Sequence, residues 1–180
     1  IGSSSTKQQF LSAAGRMSHV RCLVVGVMDE EVCRDFFEFF VREKWTALEC
    51  VTFGGFRFAQ GNSLSLIVKA LQCVPQVQQL SLTLMPNEQS TTEVHSLFEV
   101  IASLPLRALS VSMPSSDNEM QDALALSSTV EKLLPTLIAI DLNGSKQFVA
   151  LVCERLPSMP KLKRLFLKCP RTYDRRLTPM

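Results

Sequence analysis

One arrangement of apolar and polar positions recurs six times along the chain. Its form is apolar-x-x-apolar-x-apolar, clearest in Leu162, Leu165 and Leu167. The other copies are Val20, Leu23 and Val25; Leu48, Val51 and Phe53; Val77, Leu80 and Leu82; Leu106, Leu109 and Val111; and Leu137, Ile140 and Leu142. The copies start at 20, 48, 77, 106, 137 and 162, so successive starts lie 28, 29, 29, 31 and 25 residues apart. The last two apolar residues of each copy are two apart and share one face of an extended chain, while the residue between them points the other way. A strand of about four to six residues cannot bury that face alone. Stacked copies bury it together, in a parallel sheet with a spacing of about 4.8 Å. Parallel neighbours need a crossover of roughly a dozen or more residues, usually helical, and the intervening segments have about that length.

Those segments carry helical periodicity. The spacing predicts strands at 20–25, 48–53, 77–84, 106–112, 137–142 and 162–167. After Asp29, Glu30 and Glu31, which suit a helix N-terminus, a helix runs to Lys44 with Val32, Phe36, Phe37, Phe40 and Val41 on its inner stripe and Phe39 off it. Further helices are predicted at 64–73, 92–104, 118–134 (with Leu124, Leu126, Val130, Leu133 and Leu134 inward) and 145–156, and a short capping helix at 6–16. Residues 170–180 read as an irregular basic tail. Pro75, Pro135 and Pro160 each lie two residues before a copy starts, and Pro105 one residue before. Proline ends a helix because it lacks the N–H and clashes with the preceding turn, so these breakers mark the same point of the repeat.

The repeated motif resembles the leucine-rich repeat superfamily, and its length is similar to the long, ribonuclease-inhibitor-like class. The resemblance covers roughly residues 6 to 169. It implies an α/β leucine-rich-repeat solenoid (a horseshoe) with a six-stranded parallel sheet inside and α-helices outside. The chain departs from the family at one place. An Asn commonly stands eight positions after the first Leu, where this chain has Met28, Phe56, Met85, Pro114, Ser145 and Pro170. The backbone there must be satisfied in another way.

Composition adds bounds to this picture. A length of 180 residues suits a single domain over 1–180, and 46% apolar residues suffice for a core. No apolar run approaches the roughly 20 residues of a membrane span. The opening residues lack the order of a secretory leader, and the missing initiator Met suggests a fragment of a larger protein. Cysteines at 22, 33, 50, 73, 153 and 169 form no C-x-x-C pair, which reads as reduced thiols in an intracellular, cytoplasmic protein. Asn143, Gly144 and Ser145 fit a glycosylation triplet that is common by chance.

Candidate chemistry is sparse. His19 and His95 read as structural or solvated. None of the phosphate-loop, metalloprotease or nucleophile-elbow motifs occurs. No catalytic, cofactor or metal residues are assigned. The acidic run Asp29, Glu30, Glu31, Asp35, Glu38 and Glu43 is interleaved with Arg34, Arg42 and Lys44, as on a solvated helix face, with a metal site as the other reading. Cys22 and Cys50 hold equivalent positions on neighbouring strands and read as a reduced pair, with a redox pair as the alternative.

The register also predicts the surface opposite the core. Its rows run Cys22, Val24, Gly26; Cys50, Thr52, Gly54; Gln79, Ser81, Thr83; Ala108, Ser110, Ser112; Ala139, Asp141, Asn143; and Arg164, Phe166, Lys168. Most of it is small and weakly polar, and the last rows carry charge and the one large aromatic. From residue 157 on there are seven basic residues and one acid, against twelve basic and sixteen acidic before it. The predicted partner-binding residues are Arg164, Phe166, Lys168, Asp141, Asn143, Lys163 and Arg171. They point to a non-enzymatic protein–protein interaction module, a scaffold or adaptor. Its partner is a protein, acidic at the C-terminal edge, or that edge is covered by a second copy or further chain. Two other readings stay open. Members of the long-repeat class stimulate GTP hydrolysis, a role in which the resemblance would cast Asn143 and Arg164, and the basic end admits nucleic acid.

Overall fold

The computed structural model describes residues 19–26, 30–43, 45–54, 63–84, 91–113, 119–154 and 160–169. The predicted 6–16 helix and the 170–180 tail lie outside them. Among the described residues, strands and helices alternate: β1 (Cys22–Val25), α1 (Glu30–Arg42), β2 (Cys50–Phe53), α2 (Ser63–Gln72), β3 (Gln79–Thr83), α3 (Thr91–Ser103), β4 (Ala108–Ser112), α4 (Glu119–Leu133), β5 (Ala139–Asn143), α5 (Lys146–Cys153) and β6 (Arg164–Lys168). The six strands form one parallel sheet in chain order. Each helix packs on the next, so the arrangement is a solenoid-like α/β stack.

Each strand starts two residues after the first apolar residue of its copy. That residue belongs to a turn from the preceding helix. Leu48 N donates to Trp45 O at 3.3 Å and Val77 N to Val74 O at 3.1 Å. A second feature recurs at every step of the sheet: one carbonyl accepts from two successive N–H groups of the next copy. Arg21 O takes Glu49 and Cys50, Glu49 O takes Gln78 and Gln79, Gln78 O takes Arg107 and Ala108, Arg107 O takes Ile138 and Ala139, and Ile138 O takes Lys163 and Arg164, at 2.7–3.1 Å. At the far ends of the strands, direct main-chain bonds satisfy the backbone: Gly54 N to Val25 O, Leu84 N to Ser112 O, Met113 N to Asn143 O and Gly144 N to Lys168 O, at 2.8–3.0 Å.

The core lies between the sheet and the helices. Val51, Leu80, Leu109 and Ile140 form one buried row, and Phe53, Leu82, Val111 and Leu142 the next. Helix α1 adds an aromatic cluster. Phe40 stacks on Trp45 (centroids 4.8 Å, 20° between planes) and meets Phe36 and Phe53 at 5.9 and 6.3 Å. The Trp45 indole N–H, which would otherwise be stranded, donates to Phe40 O at 2.9 Å. Helices α3 and α4 are tied by a buried hydroxyl, since Thr129 Oγ1 reaches Phe98 O at 3.1 Å and Ala125 O at 3.0 Å.

Three residues depart from the periodicity. Phe39, read as off the stripe, is buried because Trp45 folds back against it edge-on. Val41, read as inward, is exposed because it lies at the other margin of the apolar arc. Leu124 is also exposed, since the buried stripe of α4 runs through Leu126, Val130 and Leu133, with Ser127 and Thr129 beside it. No helix among the described residues is long and apolar enough to cross a membrane.

Candidate functional site

The face of the sheet turned away from the helices is built by the residues between the core positions. Pairing places them in three rows: Cys22, Cys50, Gln79, Ala108, Ala139, Arg164; Val24, Thr52, Ser81, Ser110, Asp141, Phe166; and Thr83, Ser112, Asn143, Lys168. An open trough of about 670 Å³ crosses this face from β2 to β6. Its floor is Cys50, Thr52, Gln79, Ser81, Ala108, Ser110, Ala139 and Asp141, and Lys163, Arg164 and Phe166 bound one end. Small residues on neighbouring parallel strands leave space over the backbone, so an incoming segment can lie close to the sheet.

Near β5 two side-chain contacts link neighbouring strands on this face. Ser110 Oγ lies 3.4 Å from Asp141 Oδ2, and Asn143 Nδ2 donates to Ser112 Oγ at 3.0 Å. Of the predicted site residues, Asp141 pairs in register with Phe166, and Asn143 with Lys168. Lys163 and Arg164 stand at the start of β6, and Arg171 lies outside the described residues. Arg164 pairs with Ala139, so its backbone is four residues along the strand from Asn143, about 13 Å.

Charge differs between the two ends of the sheet. Beside β1, one Arg21 guanidinium nitrogen meets both Glu49 carboxylate oxygens at 2.9 and 2.8 Å. At β6, Lys163, Arg164 and Lys168 are exposed and form no ion pair with any described residue. Phe166 is 61% exposed between them.

Cys22 and Cys50 are partners in adjacent strands and both are free thiols, as are Cys73, Cys153 and Cys169. Burial, then the hydrogen bond and nearby charge of Cys22, push the Cys50 thiol up to about 11 from the ordinary 9.0. A pKa two higher leaves about a hundredth of the thiolate, the reactive form, at neutral pH. Cys50 is therefore expected to alkylate with iodoacetamide about 100-fold more slowly at pH 8 than an ordinary thiol. Peptide mass spectrometry over a time course checks this, and a rate matching that of exposed Cys73 would contradict it. The linked stability runs the same way. The fold holds the neutral thiol, so the stability it lends is intact below pH 9 and falls as pH rises toward 11.

The rows expected from the alternation are the rows that strand pairing forms. The partial burial of Cys50 and the Ser110–Asp141 and Asn143–Ser112 contacts were not legible, because single-strand spacing carries no information on how far a side chain leans toward its neighbour. Among the described residues, no three His, Cys, Asp or Glu side chains are grouped to hold a metal; Glu38 of the acidic run is exposed, and Arg42 Nε lies 3.8 Å from Glu43. No protein-family model matches the chain, and no curated protein matches it.

Proposed function

We propose that this chain is a non-enzymatic protein-interaction module of leucine-rich-repeat type, a cytoplasmic scaffold or adaptor whose inner horseshoe surface is the open face of the sheet. The observation that carries this reading is the trough across β2 to β6, floored by small side chains and ended by Arg164 and Phe166. Stacked repeats offer a broad continuous surface for a partner. Arg and aromatic side chains beside a desolvated groove are the residue types that dominate binding energy. Phe166 supplies apolar area and Arg164 a fork of donors, while the Ser, Thr and Gln floor accepts a polar backbone without demanding one side chain. The free thiols support a reducing compartment.

A photo-crosslinking residue placed at Ser81, in the middle of the trough, tests the reading against one at Lys132 on the exposed face of α4. In the source cell's extract the Ser81 probe is expected to trap a discrete protein adduct that the Lys132 probe does not. The adduct should disappear when Phe166→Ala and Arg164→Glu are combined with it. The same adduct from both probes, or one indifferent to the anchor substitutions, would overturn the assignment of the open face.

A further inference from the structure

Among the described residues, β6 is the last strand of the sheet and pairs on one side only, with β5. In an extended strand, successive backbone groups point to opposite edges. Arg164 N donates to Ile138 O at 3.1 Å and Lys168 O accepts from Gly144 N at 3.0 Å. Arg164, Phe166 and Lys168 therefore spend their backbone groups on β5. The N–H and C=O groups of Leu165 and Leu167 point out of the sheet, and among the described residues no strand pairs with them. Their side chains continue the core rows, yet they are 43% and 38% exposed, where Leu80 and Leu82 on the inner strand β3 are 2% and 1%. Among the described residues, the exposed end of the apolar layer coincides with the strand whose outer backbone groups have no strand partner. An edge of this kind is a template for another strand.

The charges on β6 select what fits there. Lys163, Arg164 and Lys168 flank the two leucines, with no acid paired to them among the described residues. A second copy of the chain docked edge to edge, its β6 antiparallel to the first, would set Arg164 of one copy opposite Lys168 of the other about 4.8 Å away, where like charges directly opposite are destabilising. An acidic strand meets the same edge with attraction.

We infer that the outer edge of β6 takes an extended acidic segment of a partner protein as a seventh strand, with acid–apolar–any–apolar–acid side chains opposite Arg164, Leu165, Phe166, Leu167 and Lys168. The two apolar residues cover Leu165 and Leu167 on the helix side. The two carboxylates lie on the open face beside Arg164 and Lys168, and the partner's main chain satisfies the four outward backbone groups. Main-chain bonds give affinity and alternating side chains give selectivity, as in other strand-addition modes. The pattern reads the same in both directions, so it holds for parallel and antiparallel docking. This inference rests on the interaction-module reading and names the chemistry of its partner.

The test uses the full chain and a fluorescein-labelled synthetic peptide with a Glu-Leu-Thr-Leu-Glu core between Gly-Ser flanks. Fluorescence anisotropy is expected to show binding at least tenfold tighter than to a scrambled Glu-Glu-Leu-Leu-Thr core, and weakened by salt. N-methylating the peptide amides of one parity, those facing β6, should abolish binding, while methylating the other parity should leave it. Arg164→Glu with Lys168→Glu should weaken binding at least tenfold, and a Lys-Leu-Thr-Leu-Lys core should bind that variant in its place. This rescue also shows that the variant is folded. Equal binding of the scrambled peptide, indifference to both methylation patterns, or no rescue by the swapped charges would overturn the inference. So would a chain dimer in sedimentation that the peptide fails to compete, because a second copy would then hold the edge. Failure here with an intact Ser81 crosslink removes the edge and leaves the open face standing. Loss of the crosslink with peptide binding intact does the reverse.

Discussion

Leu80→Asp unfolds the protein, and Ser81→Asp, one residue along, leaves it folded. Leu80 sits in strand β3, in the buried row between Val51 and Leu109, and is 2% exposed. A carboxylate there has no cation to pair with in an apolar layer, and burying an unpaired charge is among the few single changes that cost more than about 4 kcal/mol. That is most of the margin of an ordinary domain, about 5–15 kcal/mol. Ser81 faces the trough with Thr52 and Ser110 on either side. An Asp there keeps its water, and the expected cost is below about 1 kcal/mol. Thermal melts followed by circular dichroism check the pair. Equal damage from both substitutions would mean that the sheet is not two-faced.

Phe40→Ala should cost about 3–5 kcal/mol, the usual toll for removing a buried aromatic, while Val41→Ala beside it should cost less than about 1 kcal/mol. Phe40 is fully buried and touches Phe36, Trp45 and Phe53, so its loss leaves a cavity and takes away the ring on which Trp45 stacks. The Trp45 indole N–H donates to the Phe40 main-chain carbonyl, which the substitution leaves in place, so the loss expected is one of packing. Val41 is 40% exposed. Urea titration of both variants separates them, because the midpoint shifts with stability while the slope tracks the surface exposed. Similar losses at the two positions would show that α1 is rotated from the orientation described.

The register of the sheet was legible because side-chain direction in a strand has period two and the motif occurs six times. A one-residue slip would turn Leu80, Leu109 and Ile140 outward together, and the pairing Leu23, Val51, Leu80, Leu109, Ile140, Leu165 matches the motif positions. The helix stripes were legible only to within their margins. The apolar arc of α1 is wide, and whether Phe39 or Val41 is covered depends on where Trp45 lands after the helix, which no local pattern states. The open-face rows followed from the same alternation, and so did the gathering of Arg164, Phe166 and Lys168 on one strand. The directions of the main-chain groups of β6 did not, because they depend on which edge of the strand faces β5. Thr129 was invisible for a related reason: its hydroxyl matters through a carbonyl 31 residues away.

Among the described residues, six parallel strands stack in chain order, with one edge of β6 bonded to β5 and no strand on its other edge. Amide hydrogen exchange by NMR reads this residue by residue. The amides of Cys50, Gln79, Ala108, Ala139 and Arg164, each donating to the preceding copy, are expected to be protected. Within β6, Phe166 and Lys168 should be protected with Arg164, while Leu165 and Leu167 exchange rapidly and slow only when the acidic peptide is added. Uniform protection across Arg164 to Lys168 in the free chain, or protection of Leu165 and Leu167 in place of their neighbours, would contradict the account.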